Sequence, residues 1–169
     1  MLQFNAYVFT LFISALASAV LAFYTFRRKP SAGSRELGFL LIALAEWSLT
    51  AALEGASPFL PVKIFWTVMS YIGSQTTAVL FLLFVLRYTQ QDERMNLRVK
   101  SWMKIALFIL PVVSFGMAAT NQWHGMLWPA LTLIQTDWIG VALIFAHGPW
   151  FWVEIGYAYL LLALSMSIL

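Results

Sequence analysis

The chain has 169 residues, of which 62% are hydrophobic and 10% charged, with a net charge of +3 and no cysteine. Ordinary soluble domains carry about 25% charged and about 45–50% apolar residues. That excess of apolar residues excludes a soluble globular domain. The absence of cysteine excludes disulfides, thiolate chemistry and cysteine-ligated zinc or iron–sulfur sites.

The apolar residues come in runs that match the roughly 20 residues a bilayer-spanning helix needs. The first run, Phe4 to Phe26, is closed by Arg27-Arg28-Lys29-Pro30. It is long, and its positive charges follow rather than precede it, so it reads as an anchor with its N-terminus outside rather than a cleavable signal peptide. Ser14, Ser18 and Ala22 recur every fourth residue, which either marks a face for close helix packing or simply reflects composition. The second run, Leu37 to Leu53, stops at "EGASPFLP" (Glu54–Pro61), and the third spans Ile64 to Leu86 before a charged stretch from Arg87 to Lys104. The fourth covers Trp102 to Ala119 and the fifth Trp150 to Leu169. The expected fold is an all-α polytopic membrane protein with five spans, occupying residues 1–169 as one membrane domain.

Orientation follows from the basic residues. Arg27, Arg28, Lys29 and Arg35 lie between spans one and two, and Arg87, Arg94, Arg98, Lys100 and Lys104 between spans three and four. Only Lys63 falls on the other side. The basic face is expected to be cytoplasmic. Because these charges flank spans, the positive net charge implies no nucleic-acid partner; the bilayer itself is the partner.

Leu127 to Ala146 is apolar enough for a sixth span, but only His147 and Gly148 would then separate it from the next helix. Antiparallel helices usually need about 2–8 connecting residues, and no basic residue marks such a turn. "ALTLIQ" (Ala130–Gln135) and "GVALIF" (Gly140–Phe145) instead predict a β-hairpin over the outer mouth of the helices, within a loop of about 127–147. Trp123, Trp128, Trp138, Trp150 and Trp152 fall at the same level, as an interfacial aromatic belt does.

Polar residues inside the spans are the functional candidates, since an ionisable group there is costly unless paired or neutralised. Glu46 lies ten residues beyond Glu36, about 15 Å into the bilayer, and Gln75 reaches a similar depth on the third span. A hydrogen bond from Glu46, as the neutral acid, to Gln75, Ser74 or Thr76 is expected; the pair is either a structural clamp or a switching element. Glu54 and Glu154 fall near the outer surface, with Lys63, His124, Asp137 and His147 at that level. The loops could gather several of these over the helix mouth, and a Glu54–Lys63 ion pair would account for part of the group. Two histidines 23 residues apart make no metal motif. No Gly-rich phosphate loop, HExxH or GxSxG occurs either, so no cofactor, metal or catalytic residue is assigned.

Three stretches carry a family resemblance: Trp47 to Gln91, "LPVVSFGMAATNQWHGMLW" (Leu110–Trp128) and "GPWFWVEIGYAYLLL" (Gly148–Leu162). In order and spacing the chain resembles the amino-terminal seven-helix sensor region of bacterial histidine kinases and related signalling proteins. By that resemblance Asn121, His124, Trp128, Tyr71, Gly73, Tyr88 and the Gly148–Pro149 pair occupy motif positions, though no ligand role comes with them. The resemblance implies a sensory input domain of the bacterial inner membrane that passes a signal to a cytoplasmic output module. The family has seven helices and five are present, so a fragment lacking two spans and the output domain is expected, with no enzyme activity of its own. Dimerisation would come through the full-length kinase. Asn121, His124, Trp128, His147, Glu54 and Glu154 are the ligand candidates for an unknown small-molecule or membrane signal, and Glu46 and Gln75 the switch candidates. The competing expectation is a small carrier or channel with Glu46 in its pathway.

Overall fold

The computed structural model describes residues 5–29, 31–89, 101–136 and 140–169. Its helices are α1 (Ala6–Arg27), α2 (Ser34–Ala56), α3 (Leu60–Thr89), α4 (Ser101–Ala119), a short α5 (Asn121–His124) and α6 (Pro149–Ile168). Two strands, β1 (Leu131–Thr136) and β2 (Gly140–Phe145), precede α6. Five of these helices, all but α5, are long and apolar enough to cross a membrane. Asp137 and Trp138, and the basic residues Arg94, Arg98 and Lys100, lie outside the described residues.

Helix bounds differ from expectation where capping chemistry overrides hydropathy. The Asn5 side chain accepts from the Val8 N–H at 2.9 Å and starts α1. Helix α2 runs through Gly55 to Ala56 and ends ahead of Pro58, because the residue before a proline avoids the helical region. Pro61 then sits in the first turn of α3, where its missing N–H costs nothing. The expected small-residue face of α1 is partly realised. Ser14 meets Ser48 of α2 at 3.3 Å, and Val8, Ala15 and Ala22, seven residues apart, are the residues buried on α1.

Helix α3 is the hub. It packs against α2, α4 and α6, while α1 packs on α2. One apolar cluster joins Ala78, Val79, Leu82 and Leu83 of α3 to Leu161 of α6, with Leu107 and Phe108 of α4 against it. A second, toward the hairpin, joins Tyr71, Ala118, Leu127 and Trp128, with Leu131, Phe145, Trp150 and Phe151 packed around them. The strands pair antiparallel with Leu131 opposite Phe145 and Thr136 opposite Gly140. The expected hairpin is therefore present, and its base rests on the second cluster through Leu131 and Phe145.

Candidate functional site

The hairpin end of the bundle is closed by a clasp made from two distant stretches, Thr120–Trp128 and His147–Trp150. Buried Asn121 is its centre. Its Oδ1 accepts from the N–H groups of Leu127 and Trp128 at 3.0 and 3.1 Å, and its Nδ2 donates to the Trp128 carbonyl at 2.9 Å. Gly125 turns the chain at φ 60°, a conformation that glycine adopts without steric cost. The carbonyls so presented are then taken by the other stretch: Gly148 N–H donates to Leu127 at 2.8 Å and Trp150 N–H to Met126 at 3.1 Å. A Cβ on Gly148 would overlap the Met126 carbonyl, so only glycine lets the two backbones meet.

His124 belongs to the same clasp. Its Nδ1 accepts from the Met126 N–H at 3.0 Å, and Nε2 lies 3.2 Å from the Thr120 hydroxyl. That arrangement fixes the neutral tautomer with the proton on Nε2, leaving Thr120 to donate to the Gly116 carbonyl at 2.8 Å. His147 is exposed and stacks on Phe151, ring centroids 3.9 Å apart. An open cavity of about 460 Å³ lies on the flank of the clasp, lined by Trp123, His124, Trp128 and Leu131 among others.

Below the clasp, Trp128 meets Tyr71 of α3 edge to face at 5.5 Å and Phe145 of β2 at 5.2 Å. The Trp150 indole donates to Ser114 of α4 at 3.1 Å. Tyr71, Ser114 and Trp150 surround the carboxyl of Glu154, five residues into α6 and 3% exposed. Gln75 Nε2 donates to Glu154 Oε2 at 3.3 Å, while Oε1 has no hydrogen-bond partner among the described residues. A buried carboxyl ringed by Tyr71, Gln75, Ser114 and Trp150 thus lies where α3, α4 and α6 converge.

This corrects the expected pairing of Gln75 with Glu46. Gln75 is taken by Glu154, and Glu46 is wedged against Gly73, where a Cβ would overlap both Glu46 Oε2 and the Ala43 carbonyl. Glu46 Oε2 is also buried without a hydrogen-bond partner among the described residues. The expected outer gathering resolves into separate groups as well. Glu54 binds Lys63, whose Nζ donates to Glu54 Oε1 at 2.9 Å and to its carbonyl at 2.8 Å. Asn121, His124 and Trp128 form the clasp, Glu154 joins Tyr71, Gln75 and Ser114, and Asp137 lies outside the described residues.

Sequence reasoning passed over Ser114, Thr67 and Tyr157. Thr67, Tyr71 and Gln75 recur every fourth residue on α3, a polar stripe that periodicity could have found. Tyr157 donates to the Leu107 carbonyl at 2.6 Å, a contact whose only trace in the sequence is the proline four residues after Leu107.

Apolar helices enclosing a satisfied clasp and a buried acid define a multi-pass membrane protein with polar chemistry held between its helices. A family model described as the N-terminal 7TM region of histidine kinase matches residues 10–169, and the chain belongs to that family. No curated protein and no solved structure matches the chain. It is a membrane sensor region of the histidine-kinase type.

Proposed function

We propose that this domain receives a signal at its hairpin end and relays it to a cytoplasmic histidine-kinase module. It would sit in the bacterial inner membrane with the N-terminus outside, since Arg27, Arg28, Lys29, Arg35 and Arg87 occupy the end opposite the hairpin. The observation that carries the reading is continuous contact from hairpin to buried acid. Phe145 touches Trp128, Trp128 touches Tyr71, and Tyr71 faces Glu154 on α6. A stimulus with different affinity for two hairpin positions shifts the population of α6 arrangements through that contact. Among the ligand candidates, Glu154 is the buried acid at the end of that contact path, beside Tyr71, Gln75, Ser114 and Trp150, and Asn121, His124 and Trp128 hold the hairpin over it. Glu54 serves with Lys63 as the brace between α2 and α3, and His147 lines the clasp's rim.

The carrier reading has no observation of its own beside it; Glu46 lies against the α3 backbone at Gly73. Autophosphorylation of the full-length protein in membrane vesicles tests the sensor reading. Trp128→Ala and Glu154→Gln should each change the kinase output while the protein still inserts. Output identical to wild type in both variants sinks the proposal.

A further inference from the structure

His124 braces the clasp through an acceptor that a proton would remove. Its Nδ1 takes the Met126 N–H at 3.0 Å, and its Nε2 lies 3.2 Å from the Thr120 hydroxyl, whose own proton goes to the Gly116 carbonyl. Nδ1 therefore carries no proton, and a second proton on the ring has only that atom to occupy. Once there, it sets one N–H against another, and two donors make no hydrogen bond. Turning the ring does not restore the bond, because an imidazolium has a donor at each nitrogen and no acceptor. Imidazole is also the side chain that changes charge between about pH 5 and 8.

The bond at risk sits at a junction. Met126 donates its N–H to His124, and its carbonyl accepts from the Trp150 N–H at 3.1 Å. Trp150 lies in the first turn of α6 and ties it to Ser114 of α4 at 3.1 Å. One residue thus separates the imidazole from the start of α6. The ring is exposed, and the cavity of about 460 Å³ beside it is lined by no other acid or base. On the facing stretch the titratable group is His147, which stacks on Phe151 at 3.9 Å. Below the clasp, Tyr71 of α3 and Glu154 of α6 face each other, and Lys63 is bound to Glu54. Among the described residues no carboxylate pairs with His124, and Asp137 lies outside them.

We infer that the clasp is a proton-sensitive latch: a proton on His124 Nδ1 breaks the bond from Met126 and loosens the first turn of α6, so that acidification at the hairpin end is a signal the domain reads. The latch is closed at neutral and alkaline pH, where Nδ1 accepts, and opens as the pH falls. The inference rests on the sensory reading above and names the stimulus at that site.

The test follows the purified chain in nanodiscs by NMR from about pH 8 to about pH 5, with isotope-labelled histidine, methionine and tryptophan. At the upper end His124 should show one neutral tautomer, protonated at Nε2. As Nδ1 gains its proton, the Met126 and Trp150 amide resonances should move with the same midpoint. Hydrogen-exchange protection of the Trp150 amide, corrected for the intrinsic effect of pH, should fall roughly threefold to tenfold, the worth of one hydrogen bond. His124→Asn supplies an oxygen that accepts an N–H two residues on and does not titrate, so both amides should stay at their closed positions throughout. His147→Asn should leave the wild-type transition in place. If His124→Asn does not fold, the shared midpoint in the wild-type chain decides. A Trp150 amide that does not move, one that moves at a midpoint other than that of His124, or a transition that persists in His124→Asn overturns the inference. Because no kinase module is involved, those outcomes leave the sensor reading to its own autophosphorylation test.

Discussion

The Tyr157 hydroxyl of α6 donates to the Leu107 carbonyl of α4 at 2.6 Å, and Leu107 is the residue whose carbonyl Pro111 leaves without its helical partner. A proline inside a helix removes the bond to the carbonyl four residues back. In a membrane that carbonyl has no water to turn to, and a neighbouring helix must satisfy it. Proline and tyrosine are thus one device, joining α4 to α6 below the buried Glu154.

Tyr157→Phe should therefore lower the thermal stability of the purified chain by about 1–2 kcal/mol, the cost of an unsatisfied buried carbonyl. The decisive measurement is a double-mutant cycle with Pro111→Ala. Alanine restores the N–H at that position, so the cost of Tyr157→Phe should shrink toward zero in that background. Equal costs in both backgrounds would show that the phenol stabilises by packing alone.

The clasp makes a second prediction. Asn121→Leu removes one donor and one double acceptor from a buried turn and should destabilise the domain by about 2–4 kcal/mol. Asn121→Asp keeps the two accepted bonds but sets a carboxylate oxygen against the Trp128 carbonyl, so it should also fail to rescue the turn. Gly148→Ala, through its overlap with Met126, should cost about 1–3 kcal/mol. In all three, limited proteolysis should cut first between Gln122 and His147. A cleavage pattern identical to wild type would mean the clasp does not hold the hairpin.

How far the sequence could be read has a geometric explanation. Length, hydropathy and the position of Arg and Lys located all five spans, because each depends on one coordinate, depth along the membrane normal. The hairpin was legible for a similar reason: His147 and Gly148 leave the shortest usual connection between two helices, with no basic residue to mark a cytoplasmic turn, while the two flanking runs read as strands. Partner choice depends on a second coordinate, the angle around the helix axis. Gly73 and Gln75 are two residues apart and so about 200° apart around α3. One faces Glu46 of α2 and the other Glu154 of α6, although Glu46 and Gln75 share a depth. The clasp was illegible for another reason. Its contacts run from Asn121 and Gly148 to main-chain groups, and main-chain groups leave no mark in a sequence.

Lys63 is fully buried while its partner Glu54 keeps a fifth of its side chain exposed. Removing either partner from such a pair leaves the other without its charge complement, and the more buried ion suffers more. Glu54→Gln, which strands the lysine, should therefore be more destabilising than Lys63→Met, which strands an acid able to reach solvent. The double variant should recover most of the loss. Thermal unfolding of the three variants checks the order, and a double variant as poor as the worse single one would remove the ion pair from the account.

Glu46 presses on α3 where Gly73 offers no side chain, so the two residues set how closely α2 and α3 approach. The Cβ of Gly73→Ala would meet the Ala43 carbonyl and the Trp47 nitrogen as well as the carboxyl, and main-chain atoms cannot rotate away. The helices must part, at a cost of about 1–3 kcal/mol. Glu46→Ala removes only the side-chain part of that overlap, so it should not rescue Gly73→Ala, whereas a purely carboxyl-driven clash would be relieved. Glu46→Gln separates charge from shape: it keeps the volume against Gly73 and discards the ability to titrate. If Glu46 is a spacer, Glu46→Gln should match wild type in both stability and kinase output. A changed output at unchanged stability would instead assign Glu46 to the switch. Measuring unfolding and autophosphorylation on the same preparation distinguishes the two.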